Sequence, residues 1–114
     1  MKKILIIDDN HQNRLLIKMI LEKNGYIIIE ADSGINGIKL AEQEKPDLIL
    51  LDMMMPEING WEVMKTLKGN VNTMNIPVII FSALDEISEI DADGYISKPI
   101  DLIKLLEIVS EMLK

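Results

Sequence analysis

Among its 114 residues the chain has no cysteine. That excludes disulfides, thiolate chemistry and cysteine-ligated zinc, and it suits a reducing compartment. No run of 18 apolar residues occurs, so no segment reads as a membrane span. The opening "MKKILIIDDN" places only four aliphatics ahead of two acids, too few for a secretory signal, and the chain is expected to be cytoplasmic. There is no repeat, low-complexity tract or interdomain linker, and no GxxxxGK stretch to support a nucleotide triphosphatase. Positive charge is scarce: 12 bases face 19 acids, for a net charge of -7. An acidic domain of this size is repelled by phosphate backbones, which argues against direct nucleic-acid binding. The acid-rich segment "DEISEIDAD" at 85–93 reads as a solvated face.

What the sequence does have is a beat of short apolar runs: "ILII" (4–7), "YIII" (26–29), "LILL" (48–51), "PVIIF" (77–81) and a weaker "GYIS" (94–97). The first four are continuous rather than alternating, as in parallel strands covered on both faces. Between them lie stretches with helical spacing. One covers 11–24, with Leu15, Leu16, Met19 and Ile20 as its apolar side and Asn24-Gly25 as its stop signal. A second, 34–44, ends before Lys45-Pro46, and a third, 60–69, turns Val63, Met64 and Leu67 inward. The last, 101–113, carries a stripe of Leu102, Leu105, Leu106, Val109, Met112 and Leu113. Strand alternating with helix predicts an α/β fold with a doubly wound, flavodoxin-like, five-stranded parallel sheet in the order 2-1-3-4-5. The chain is too short for two cores, so 1–114 is expected to be a single domain. In such sheets function gathers beyond the carboxyl ends of the strands, near the switch in strand order.

Those ends carry chemistry. The first strand runs into Asp8-Asp9, the third into Asp52 within "LILLDMMMPEING", the fourth into Ser82-Ala83 and the fifth into Lys98-Pro99. Singly, each is ordinary: an acid after an aliphatic run is often a helix N-cap. Jointly they are not. Two carboxylates about 4 Å apart repel by roughly 4 kcal/mol at an effective dielectric near 20, so such a cluster raises its pKa values or recruits a cation. All-oxygen donors point to a hard ion, Mg2+ or alternatively Mn2+. With the ammonium of Lys98 and the hydroxyl of Ser82, the set suits a phosphoryl group on one of the carboxylates. His11, the lone histidine, reads as an exposed residue at the start of a helix.

With "LIIDDN", "LLDMMMP", "FSA" and "YISKP" in this order, the chain resembles the receiver domain of bacterial two-component response regulators over essentially its whole length. The resemblance implies that Asp52 accepts a phosphoryl group from a histidine kinase or histidine phosphotransfer protein. It implies Mg2+ bound directly by Asp9 and Asp52, by the main-chain carbonyl of Met54, and by Asp8 mainly through water. The methionine side chains are expected to fill core or rim. Ser82 would then turn toward the phosphoryl group and Tyr95 would act as a switch aromatic, with Ala83 keeping the pocket open. Pro56 and Gly60 would shape the loop entering the third helix. On this reading the chain is no enzyme with a separate substrate. It is a phosphoacceptor that assists its own phosphorylation and dephosphorylation and switches a surface toward a downstream protein target. It would be a monomer or a weak phosphorylation-dependent dimer, and either a stand-alone regulator or the N-terminal part of a longer protein.

One segment departs from the resemblance. Ser82 and Lys98 are only 16 positions apart. That is roughly six residues short of the usual receiver spacing, more than one helical turn. The expectation is a shortened fourth helix of one or two turns, pinned by Ile87 and Ile90, or an irregular loop. Three other functions compete. A phosphatase-type hydrolase needs a second acid two residues after Asp52, where Met54 stands. A flavodoxin-like binding module needs a hydroxyl- and glycine-rich loop where "DDNHQN" stands. A receiver-like interaction module that works without phosphorylation remains the alternative.

Overall fold

The computed structural model describes residues 1–82 and 92–114. The strands are β1 (Lys3–Ile7), β2 (Ile27–Ala31), β3 (Leu48–Asp52), β4 (Val78–Ser82) and β5 (Gly94–Ser97). They form one parallel sheet in the order β2-β1-β3-β4-β5, as expected. The described helices are α1 (His11–Lys23), α2 (Gly34–Glu44), α3 (Gly60–Lys68) and α4 (Leu102–Met112). None of them is long and apolar enough to cross a membrane.

In β1, β3 and β4 the continuous aliphatic runs are explained by burial on both sides of the sheet. β2, at the sheet edge, departs from the expected double cover: Ile27 is exposed and Ile28 and Ile29 are only partly buried. Leu5, Ile7, Ile49, Leu51, Val78 and Ile80 pack in one cluster with Ala41 of α2 and with Val63, Met64 and Leu67 of α3. Their neighbours Ile4, Ile6, Leu48, Leu50, Ile79 and Phe81 join Ile17 and Leu21 of α1 and Leu105 and Val109 of α4. Successive residues of a strand point to opposite faces, so one run of four aliphatics feeds two cores. β1, β3 and β4 are thus the buried base on which Asp8, Asp9, Asp52 and Ser82 stand.

The apolar side expected for α1 is corrected. Leu15, Leu16 and Met19 are exposed, and the inward contacts come from Ile17 and Leu21, one turn apart, with Ile20 partly buried. Six apolar residues crowd positions 15–21, so several helical stripes are available, and only packing against β1 and β3 selects among them. The ends of α1 follow local chemistry. Asn10 caps the start by accepting from the Asn13 N–H at 3.0 Å. At the far end Gly25 takes φ +92°, a left-handed conformation suited to glycine, while its N–H reaches Glu22 O and that of Tyr26 reaches Leu21 O.

Gly60 matters more for the site. A Cβ there would lie 2.7 Å from the Met53 Cα, so a side chain would push α3 off the end of β3. That accords with the expected part of Gly60 in shaping this loop. Between β4 and β5 the connection spans 83–93. The expected short helix or loop, with Ala83, Ile87, Ile90 and most of the acidic cluster, lies outside the described residues.

Candidate functional site

Register alone brings the strand-end residues to one rim. Ile7 pairs with Leu51, so the next residues, Asp8 and Asp52, emerge side by side. Asp52 pairs with Phe81 and Ser82 with Ser97, which sets Ser82 and then Lys98 on the far side of Asp52. The sequence after each strand therefore decides what the cleft contains.

Asp8, Asp9 and Asp52 converge, each offering a carboxylate oxygen, and these atoms lie within 4.8 Å of one another. Asp8 and Asp52 are buried, whereas Asp9 is exposed. Lys98 crosses the cleft from the end of β5 and its Nζ donates to Asp52 Oδ1 at 2.7 Å. The Met54 N–H donates to the same oxygen at 3.2 Å. Ser82 is fully buried at the end of β4. The Met54 side chain is 61 % exposed, so what position 54 brings to the cleft is its main chain. The Lys98–Pro99 peptide bond is cis.

The two buried acids differ in their partners. Asp8 Oδ1 accepts from the Asn10 N–H at 2.9 Å, but Oδ2 is buried and has no hydrogen-bond partner among the described residues. Burial is the main cause that raises the Asp8 pKa to about 6. The Asn10 N–H opposes the rise. The negative charge of Asp52 adds to it, as does a hydrogen bond to Asp52 open only to the protonated acid, and the charge of Lys98 again opposes it. A buried oxygen without a partner, in a cluster of three acids that have neither His nor Cys among them, fits a hard divalent cation. The residues present fit Mg2+.

Tyr95 lies at the edge of the sheet on β5, 39 % exposed, and its Oη accepts from the Ala92 N–H at 3.1 Å. His11 is exposed, as expected, with its Nδ1 3.4 Å from Arg14 Nη2.

The sequence model of the response regulator receiver domain matches residues 4–110. The chain belongs to the response regulator receiver family. It is 36 % identical to the protein PilH of Pseudomonas aeruginosa over 99 % of this chain and 98 % of that one. The receiver domain of a signal transduction histidine kinase from Syntrophus aciditrophicus superposes with TM-score 0.91 at 31 % identity, over 99 % of this chain and 90 % of that one. The receiver domain of the sensor histidine kinase PA1611 from Pseudomonas aeruginosa PAO1 superposes with TM-score 0.89 at 24 % identity, over 97 % of this chain and 96 % of that one. That last domain was solved with a magnesium ion coordinated in its active-site cleft, and at this identity the likeness to it is one of fold. As a receiver, the chain is a signalling domain of two-component systems.

Two residues at this receiver's rim escaped the reading of the sequence. Asn10, rather than Asp8 or Asp9, caps α1, and its main chain holds Asp8 Oδ1. Arg14 donates from Nη1 to the main-chain oxygen of Asp8 at 2.7 Å. A signal for the first was available, since Asn stands beside Asp and Ser among the best N-caps. A signal for the second was a cation one turn into a helix, where the dipole disfavours it.

Proposed function

We propose that residues 1–114 form one receiver unit that accepts a phosphoryl group on Asp52. The observation that carries this reading is the convergence of Asp8, Asp9 and Asp52 on one hollow with Lys98 bonded to Asp52. Asp9 and Asp52, the Met54 carbonyl and, through water, Asp8 would hold Mg2+. When bound, the ion supplies positive charge to the non-bridging phosphoryl oxygens.

The chain's own residues do the rest. A carboxylate oxygen of Asp52 attacks phosphorus in line. An O–P bond forms as the P–N bond of a phosphohistidine donor breaks, the imidazole leaves with the bond's electron pair, and an acyl phosphate remains on Asp52. The Lys98 ammonium, already at the carboxylate, sits where negative charge grows and meets it without reorganisation. The Ser82 hydroxyl turns to a phosphoryl oxygen after transfer, and Tyr95 moves from the sheet edge into the space so released. That movement alters the surface offered to a downstream protein target.

The donor is a histidine kinase or phosphotransfer protein, working where the chain is cytoplasmic. Support for its docking comes from α1: Leu15, Leu16 and Met19 are exposed, and Leu16 lines a groove that also contains Lys98 and Ile100. An apolar surface leading to the acceptor suits a partner that must bring its phosphohistidine to Asp52.

The test is incubation with acetyl phosphate, with and without Mg2+, followed by intact mass. A gain of about 80 Da, one phosphoryl group, is expected only with the metal and only when Asp52 is present. An unchanged mass would favour a module that works through binding alone.

A further inference from the structure

The β1–α1 turn holds a connection that the phosphoryl chemistry does not use. Arg14 lies in α1, whose first turn contains no acid. A cation so near a helix N-terminus is opposed by the helix dipole, and this one is also largely withdrawn from water, its side chain 13 % exposed. Two interactions offset that cost. Its Nη1 donates to the main-chain oxygen of Asp8 at 2.7 Å, and its Nε pairs with Glu30 Oε1 on β2 at 3.2 Å. Glu30 is held in turn by Lys18, one helical turn beyond Arg14, with Nζ 3.4 Å from Oε2.

Asp8 is thereby fixed from three directions. Its N–H donates to Ala31 O at 3.1 Å, its Oδ1 accepts from the Asn10 N–H, and its carbonyl accepts from Arg14. Two of these bonds have main-chain donors, from Asp8 itself and from Asn10. Arg14 is the only side-chain donor among the three, so it is where a residue outside the turn sets the position of the turn that bears both Asp8 and Asp9.

We infer that Arg14, anchored by Glu30, is a positioning residue for the divalent-cation site: it holds the Asp8–Asp9 turn so that their carboxylates face Asp52. The inference rests on reading the acidic cluster as a cation site. The fork geometry matters as well as the charge. One guanidinium reaches the Asp8 carbonyl and the Glu30 carboxylate through different nitrogens, and a lysine ammonium cannot span both with the same fixed geometry.

The test is titration of the full chain with Mn2+, followed by its electron paramagnetic resonance, for the native protein, Arg14→Met, Arg14→Lys and Glu30→Gln. The apo melting temperature of each is measured in parallel. Mn2+ binding by the native protein tests the underlying reading: no binding there overturns the cation site itself. Given native binding, Arg14→Met, which keeps an apolar stem, is expected to weaken Mn2+ by about 10-fold or more, in the range found for outer-shell residues of metal sites. Arg14→Lys should recover only part of that loss, and Glu30→Gln should weaken binding in the same direction by less.

A second readout separates position from stability. With acetyl phosphate, the Mg2+ concentration for half-maximal phosphorylation should rise in Arg14→Met, while the rate at saturating Mg2+ stays within about twofold, since outer-shell residues tune affinity. A lowered melting temperature with Mn2+ affinity within twofold of native in the Arg14 variants would overturn the inference. Should Arg14→Met fail to fold, Glu30→Gln decides alone: weaker Mn2+ binding supports it and native affinity overturns it.

Discussion

Asp52 and Asp8 leave adjacent strands at adjacent positions, and both are buried, yet their surroundings differ in kind. Asp52 meets an ammonium at 2.7 Å and a main-chain N–H, so its charge is answered from within the protein. Asp8 has one oxygen satisfied by Asn10 and the other without a partner among the described residues, and its pKa is raised to about 6. On the proposed reading the first is the carboxylate that attacks phosphorus. The second has a buried oxygen that either its own proton, shared with Asp52, or a bound cation would satisfy. On the same proposed reading, the incomplete acid beside the completed one is where the cation would sit.

The largest test of this contrast is deletion of the completed acid. Asp52→Ala should abolish phosphoryl uptake from acetyl phosphate by intact mass, whereas Asp8→Asn should still take it up slowly at high Mg2+. Equal behaviour of the two would erase the distinction. Next, Lys98→Met removes the internal cation. Phosphorylation at saturating Mg2+ should slow by about 100-fold, the cost of removing one aimed charge-stabilising donor, measured as the initial rate of mass gain.

Asp8→Asn supplies the third effect, with two signs in one variant. Mg2+ affinity by calorimetry should fall by about 10- to 100-fold. Stability of the metal-free protein at pH 7 should rise, by about 1–3 kcal/mol in urea unfolding, because a buried acid is no longer forced to ionise. The smallest effect is a slope. Between about pH 4 and pH 6 the folded metal-free protein retains a proton on Asp8 that the unfolded chain has released, so stability falls as pH rises. Asp8→Asn should flatten that fall in parallel urea melts, and saturating Mg2+ should reduce it in the native protein.

Sheet order and the meeting of the strand-end residues at one rim were legible because a parallel sheet aligns strand ends. Once "ILII", "LILL" and "PVIIF" were strands, Asp8, Asp52 and Ser82 had to emerge together, and the "KP" after "GYIS" brought Lys98 to the same rim. Helix α3 was legible too, since Val63, Met64 and Leu67 leave one clear apolar stripe. Helix α1 was not. With apolar residues at six positions from Leu15 to Leu21, spacing could not choose the buried face, and the sheet selected Ile17 and Leu21. The difference between Asp8 and Asp52 was equally hidden. It depends on which strand-end neighbour reaches which oxygen, and that is settled by the main chain of Asn10 and Met54 and the span of Lys98.

Anomalous scattering from crystals grown with Mn2+ locates the ion itself. One strong peak is expected within bonding distance of carboxylate oxygens of Asp9 and Asp52, beside Asp8. A cleft with no peak at saturating Mn2+, or a peak that leaves these acids untouched, would contradict the proposed cation site.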